Sequence, residues 1–531
     1  MLRDYQQKAL DELFKWLKEN EGNPCLCIPT GGGKSHIVAE LCKTAIEKVP
    51  AAQILMLTHQ KELIAQNAEK LKAHWNDAPL GIYSAGLKKK EIKQVVFGGI
   101  QSIHRKAEEI GPRRLVIVDE CHLINHKNEG MYRRFLDELR EIEPRMRVIG
   151  LTATPFRLGH GYIHEGDGLF DALLEPVTVK ELIDLGYLTR LWSKMPEHTV
   201  STEGIHKRGG EFIESEIQAR MDTESNNHKA VNEIMDRGAD RLSWLIFCTG
   251  VDHSYHIRDI LRERGVTCET VTGETPHHER DRILADFKAG KIRAVTNANV
   301  LTTGFDHPAI DLIALLRPTM SPALYLQMVG RGLRISEKKE NCKVLDFVGA
   351  VATHGPIINV QPPKKKGEKA GEAPVKVCPD CQEILHLSVM KCPECGYIFP
   401  KEEKSNKLQN DDIMGELPKD KSILFWKWAK HYSKKSGDEM IKVSYHGATY
   451  GRGITEYFAI KNKGYAGDKS KISLYDICKK SGLDHERIKS AGGDIDRLCF
   501  FLNRAKPPKV ITYKMAGKWP RITERTWNPP F

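Results

Sequence analysis

Long apolar runs are missing from this 531-residue chain: 312–316 is typical of the longest, far short of the roughly 18–20 residues a membrane span needs. A membrane-spanning helical protein is excluded on that ground. The opening residues, Met1-Leu-Arg-Asp-Tyr-Gln-Gln-Lys8, hold neither an apolar core nor a cleavage site, so no secretory signal is read there. A cytoplasmic protein without membrane partners is expected. Disulfide architecture is also lacking: the thirteen cysteines are odd in number, and several (Cys25, Cys27, Cys248) sit in apolar runs, where a reduced thiol behaves as a small hydrophobe. No solenoid-type repeat is present.

Nor is there any charge excess over residues 1–400, which hold 54 basic and 54 acidic side chains, against 27 and 16 in 401–531. The whole net charge of +11 therefore belongs to the C-terminal quarter. Such a quarter fits contact with nucleic-acid phosphates through counterion release, and fits equally a solvated lysine-rich surface.

At roughly 100–200 residues per domain, the length suggests three or four domains. Strand-like apolar runs at 25–29, 53–58, 94–97, 115–119 and 147–151 alternate with helical stretches such as 36–46 and 61–72. A second series follows at 244–248, 268–271, 293–296, 312–315 and 343–347, with a helical stretch at 252–264. This alternation predicts an α/β protein with two successive parallel sheets, the break falling within 190–240. Residues 361–375, rich in Pro, Gly and Lys, have linker composition.

Pro29-Thr-Gly-Gly-Gly-Lys-Ser35 lies between a predicted strand and a predicted helix. Backbone N–H groups of Thr30, Gly31, Gly32 and Gly33 at a helix start suit phosphates. Lys34 would neutralise phosphate oxygens and Ser35 would ligate Mg²⁺. The strict pattern wants glycine at position 28, where this chain has Ile28. Val118-Asp-Glu-Cys-His122 follows another strand, at the sheet edge where α/β proteins bind ligands. Asp119 would hold Mg²⁺ and Glu120 would polarise water.

With these motifs and those downstream, the chain resembles superfamily 2 helicases, and among them the RadD DNA-repair helicases. The resemblance implies two RecA-like lobes with ATP and Mg²⁺ between them. By that likeness, Leu2-Arg-Asp-Tyr-Gln6 is the adenine-reading segment, with Gln6 and Arg3 at the base. Thr58-His-Gln-Lys-Glu-Leu63 and Gly99-Ile-Gln-Ser102 would track a nucleic-acid backbone, and Leu151-Thr-Ala-Thr-Pro-Phe-Arg157 would couple hydrolysis to movement. In the second lobe the matches are Ile246-Phe-Cys248, Thr272-Gly-Glu274, Leu301-Thr-Thr-Gly-Phe-Asp306 and Gln327-Met-Val-Gly-Arg-Gly-Leu-Arg334. Gly304 and Asp306 are implied at the nucleotide. Gln327, Arg331 and Arg334 are implied in catalysis, the arginines as fingers on one helical face at i, i+3. Cys121 is a rarer residue in the acid motif. The implied partner is DNA, single-stranded or branched, with RNA open; single-stranded-DNA-binding protein and a recombinase are further implied partners. The implied location is the nucleoid, or a host cytoplasm if the source is a phage.

Cys378-Pro-Asp-Cys381 and Cys392-Pro-Glu-Cys395 are two C-x₂-C pairs separated by ten residues, the spacing of a structural Zn²⁺ site. The expected organisation is 1–195 first lobe, 225–360 second lobe, 361–375 linker, 376–400 zinc ribbon and 420–531 basic α+β domain. Trp426, Trp428, Tyr432, Trp519 and Trp527 could stack on bases, although aromatics at helical spacing more often belong to a core. The pair His122/His126 reads as part of the acid motif rather than a metal site, His277-His278 as a surface pair and the 88–90 lysines as a solvated face. The expected function is an ATP-dependent motor on DNA in repair or recombination. Its rivals are the motor subunit of a restriction or defence nuclease, and a nucleotide-toggled accessory factor for recombination proteins.

Overall fold

The computed structural model describes residues 2–531 except 125–129, 158–160, 166–168, 303, 361–373, 400–418, 434–436, 448–452, 463–464, 484–493, 517–518 and 528–531. The chain divides into a unit spanning Met1–Ala373 and another spanning Pro374–Phe531. Most of the expected linker, and His126, lie outside the described residues.

Among its described residues the first unit holds two large sheets, besides two small two-stranded ones. One has eight strands in the order Ala172–Leu174, Pro24–Cys27, Arg147–Thr152, Leu115–Asp119, Ile54–Thr58, Val95–Gly99, Leu80–Ser84 and Lys89–Lys90. Every pairing is parallel except the last. The central strands are buried along their whole length because helices cover both faces, which is why they read as unbroken apolar runs. Helices Asp4–Glu19, Lys34–Lys48 and Lys61–His74 supply one core, with Leu13, Leu41 and Leu71 fully buried. Helix Met131–Ile142 supplies the other through Phe135 and Leu139. Burying each such side chain contributes about 1.5–3 kcal/mol. The exposed lysines at 88–90 close the sheet with a two-residue antiparallel edge, and charged edge strands resist pairing with other chains.

The second sheet is wholly parallel, in the order Arg190–Lys194, Asn341–Asp346, Leu312–Leu315, Trp244–Phe247, Ala294–Asn297 and Cys268–Val271. The strand Arg190–Lys194, which the boundary at residue 195 assigns to the first lobe, pairs with Asn341–Asp346 in the second. Its mixed composition, Arg-Leu-Trp-Ser-Lys, hides an edge strand from a search for apolar runs.

The second unit opens with a hairpin pairing Val375–Val377 and Ile384–His386. It continues with two three-stranded antiparallel sheets: Lys419–Ser422, Val510–Ala516 and Trp519–Thr526, then Phe425–Tyr432, Glu439–His446 and Ile454–Phe458. Among the described residues, helices Tyr465–Lys480 and Ile495–Arg504 belong to the same unit. Trp426 and Trp428 lie on a strand rather than a helix, and at 5% and 2% exposure both belong to the core. Their i, i+2 spacing puts them on one strand face with Ile441, Val443 and Tyr445, so neither offers a free ring to a base. Trp527 packs against the same core and donates its indole N–H to the Lys506 carbonyl at 3.0 Å.

Candidate nucleotide site and cysteine cluster

The motif segments of the first unit gather where its strands end. Residues 30–35 follow Pro24–Cys27, the 58–63 segment follows Ile54–Thr58, and Gln101 follows Val95–Gly99. The acid motif closes Leu115–Asp119, the 246–248 segment closes Trp244–Phe247, and the 272–274 and 301–306 segments follow Cys268–Val271 and Ala294–Asn297.

The phosphate loop enters helix Lys34–Lys48 through Gly33, whose φ of +76° suits glycine. A Cβ there would also sit 2.5 Å from Gln6 Nε2. Gly31 is likewise left-handed, and a Cβ would meet Leu188 at 2.8 Å. Ile28, the departure from the strict pattern, is fully buried in the core, and its side chain forms the floor beneath Gly32. Tyr5 donates its hydroxyl to the Gly32 carbonyl at 2.8 Å, and Gln6 donates its amide to the same oxygen at 3.3 Å. Gln6 also accepts from Arg3 N–H at 3.0 Å, so the opening helix is tied to the loop. The Arg3 guanidinium lies 4.5 Å from the centre of the Tyr187 ring.

Asp119 is buried, accepting from the Glu120 N–H at 3.0 Å and from Asn67 at 3.4 Å. Burial and the neighbouring Glu120 push its carboxyl well above the usual range. Burial acts the same way on Glu120, but Lys34, His122 and His59 outweigh it and hold that carboxyl low. Lys34 Nζ lies 3.6 Å from Glu120. Glu120 has a φ of +50°, a left-handed conformation costly for a side chain with a Cβ. His122 Nδ1 lies 2.9 Å from Thr152 Oγ1, 3.1 Å from Thr154 Oγ1 and 3.4 Å from Glu120. The acid motif is thereby joined to the 151–157 segment. Cys121 faces away, fully buried, its sulfur 3.6 Å from that of Cys25 in the space left by Gly150.

Across the cleft, helix Pro322–Val329 carries half-buried Gln327 and ends before the arginines. Arg331 lies in a 3₁₀ turn and Arg334 in extended backbone, so they do not share a helical face as the i, i+3 spacing suggests. Arg331 donates to the Thr302 and Phe305 carbonyls, one bond at 3.2 Å and two shorter. Burial lowers its guanidinium to about 10, with Glu120 opposing the shift, so it stays charged at neutral pH. Arg334 pairs with Asp306. The lobes touch at the phosphate loop: a Cβ on Gly330 would fall 2.6 Å from Thr30. Gly304, left-handed, accepts from Gln66 at 2.6 Å. Asn67 and Gln66 carry no sequence signal by themselves; each is placed by a tertiary contact.

In the other unit, the sulfurs of Cys378, Cys381, Cys392 and Cys395 all lie within 4.8 Å of one another. Two matching turns bring them together. Gln382 N–H donates to Cys378 and Gly396 N–H to Cys392, both at 3.0 Å, while Cys378 and Cys392 donate to the carbonyls five residues on. Gln382 and Gly396 are both left-handed. Four thiols so placed fit a tetrahedral Zn²⁺ with bonds of about 2.3 Å.

Residues 1–157 match the family model described as type III restriction enzyme, res subunit, and residues 227–336 match the helicase conserved C-terminal domain. IRC3 of Saccharomyces cerevisiae, assigned as an ATP-dependent helicase, is 27% identical over 66% of this chain and 52% of its own length. The chain thus spans about half of that relative. The DNA 3′-5′ translocase XPB2 of Sulfurisphaera tokodaii is 25% identical over 64% of this chain and 80% of its own. Among solved structures, a fragment assigned as the HsdR subunit of a type I restriction enzyme from Vibrio vulnificus shares the fold. Its TM-score is 0.50 at 20% identity, covering 72% of this chain and 70% of the fragment. The fold and the cleft define two successive α/β lobes that meet at a glycine-rich phosphate-loop turn. In both matched domains the chain is similar to superfamily 2 helicases. Among the described residues no helix is long and apolar enough to cross a membrane.

Proposed function

We propose that the chain is an ATP-driven motor that moves on or remodels DNA in repair or recombination, of the RadD kind. The observation that supports it is the cross-lobe grouping: Lys34 Nζ lies 3.6 Å from Glu120, and Gly330, the neighbour of Arg331, closes on Thr30 of the phosphate loop. ATP would be held by residues 30–35, with Arg3 and Gln6 at the base and Gly304 and Asp306 approaching from the second lobe. Ser35 and Asp119 would hold Mg²⁺, which supplies charge neutralisation at the phosphates. Glu120 orients the attacking water. Gln327, Arg331 and Arg334 meet charge that develops on the transferred phosphoryl group, an effect worth ~10³–10⁵ in rate for one arginine. Since these groups come from both lobes, turnover is linked to lobe closure. The His122–Thr152–Thr154 contacts offer a route from the water-orienting residue to the 151–157 segment.

Structural Zn²⁺ would be held by Cys378, Cys381, Cys392 and Cys395, with no ligand position left for water. Single-stranded-DNA-binding protein and a recombinase are the partners that the RadD likeness suggests.

A second reading, the motor subunit of a restriction or defence nuclease, is favoured by the family match over residues 1–157 and by the HsdR-like fold. Nicking of plasmid DNA separates the two. The primary test is ATPase activity with single-stranded, duplex and forked DNA and with RNA: stimulation by DNA supports the proposal, and indifference to all four sinks it.

A further inference from the structure

The sheet of Phe425–Tyr432, Glu439–His446 and Ile454–Phe458 has two chemically different faces. Its inner face packs Trp426, Trp428, Ile441, Val443 and Tyr445 against Leu474 and Ile477 of one helix and Leu498 and Leu502 of the other. The strands' glutamates also share that inward parity, and both are already neutralised. Glu439 pairs with Lys430 at 2.8 Å and with Lys461, and Glu456 pairs with Arg525.

The alternate positions form the outer face, and none of these strand residues is acidic. Phe425 and His446, directly opposed across two strands, stack with ring centres 4.6 Å apart and planes 7° from parallel. Lys427 follows Phe425 on the same face, and Lys442 lies opposite Tyr457. Tyr457 is 42% exposed. From Phe425 to His431 this face runs roughly 20 Å, room for a few nucleotides.

We propose that this outer face binds single-stranded nucleic acid, with bases stacking on Tyr457 and the Phe425–His446 pair while Lys427 and Lys442 take phosphates. Flat rings accept any base, and lysines read phosphate without sequence, so binding is sequence-tolerant and salt-sensitive. The assignment gives the basic C-terminal quarter a defined surface, built from residues other than its buried tryptophans. It takes only the class of its partner from the motor reading above.

The test uses the full chain, a labelled oligothymidylate and fluorescence anisotropy across a salt series. Tyr457→Ala should weaken binding by roughly 5- to 150-fold. Lys427→Glu/Lys442→Glu should flatten the salt slope by about 1.4, at ~0.7 per phosphate contact. The control Lys471→Glu/Lys479→Glu, on helix Tyr465–Lys480, carries the same charge change away from this face and should flatten it less. Should Tyr457→Ala perturb folding, ultraviolet crosslinking of the wild-type chain replaces it: crosslinks within 425–457 support the face. Wild-type affinity in Tyr457→Ala, a lysine pair no different from the control, or crosslinks confined to other segments would overturn it. Wild-type ATPase indifferent to nucleic acid would instead refute the motor reading, leaving the binding data to be judged separately.

Discussion

Arg331 and Arg334 stand three residues apart but are held differently, and replacing each should separate fold from chemistry. Arg331 is 7% exposed and gives three N–H groups to two backbone carbonyls of the 302–305 loop. Arg331→Ala strands those two carbonyls, and at about 1–3 kcal/mol for each buried acceptor left unsatisfied the cost should be about 2–6 kcal/mol. At about 2–4 °C per kcal/mol for a lobe of this size, melting should fall by roughly 4–24 °C. Arg334 pairs with an Asp306 side chain that is 56% exposed, and such a pair is worth about 0–1 kcal/mol, so Arg334→Ala should melt within a few degrees of wild type. Both variants should lose turnover by ~10³ or more while still binding nucleotide. Arg331→Lys keeps the charge without the fork and should recover some stability but little rate. Calorimetry on the full chain, run beside steady-state ATPase, reads both quantities. Equal melting of the two alanine variants would refute the assigned division. So would wild-type turnover in Arg334→Ala.

Metal analysis should find one Zn²⁺ per chain, lost in Cys378→Ser/Cys381→Ser with basal ATPase retained; purified protein lacking bound metal would contradict the ribbon. Buried His307, 3.0 Å from the Ser243 hydroxyl, has its imidazole lowered to about 4 by burial and by nearby lysines. The unfolded chain binds this proton more readily, so its stabilising contribution is complete above pH ~6.5 and is lost as pH falls towards 4. That amounts to about 2 kcal/mol between pH 7 and pH 5. His307→Asn should flatten the acid limb of a denaturation series, and an unchanged limb would show that another group carries it. Gly330→Ala should reduce turnover, because its Cβ would fall on Thr30 and force the lobes apart; unaltered kinetics would mean that this approach is not needed for hydrolysis.

Buried parallel strands were legible because both faces are covered: Ile54–Thr58 and Leu115–Asp119 read as plain apolar runs. Arg190–Lys194 was not legible because this edge strand carries mixed side chains, and Ala172–Leu174, though apolar, is only three residues long. The phosphate loop, the acid pair and the four cysteines are each local in sequence, so spacing alone located them. What spacing could not give was orientation. The 327–334 motif suggested one continuous helix, yet the chain turns at Gly330 and sends Arg331 to the 302–305 carbonyls. Trp426 and Trp428 read as either base-stacking or core rings, since rings near lysines look alike in a helix and in a strand, and the strand period puts both inward. Ile28 looked like a defect in the loop pattern and is instead its apolar floor.

The central claim is that hydrolysis occurs between the lobes with Lys34 holding phosphate and Glu120 orienting water. Nucleotide binding and DNA-stimulated turnover, measured together on Lys34→Ala and Glu120→Gln, test it most directly. Glu120→Gln should bind ATP about as tightly as wild type and turn over at least ~10²-fold more slowly, as expected when a positioned water-activating group is lost. Lys34→Ala should fail at binding. Wild-type turnover in Glu120→Gln, or undiminished binding in Lys34→Ala, would contradict the account.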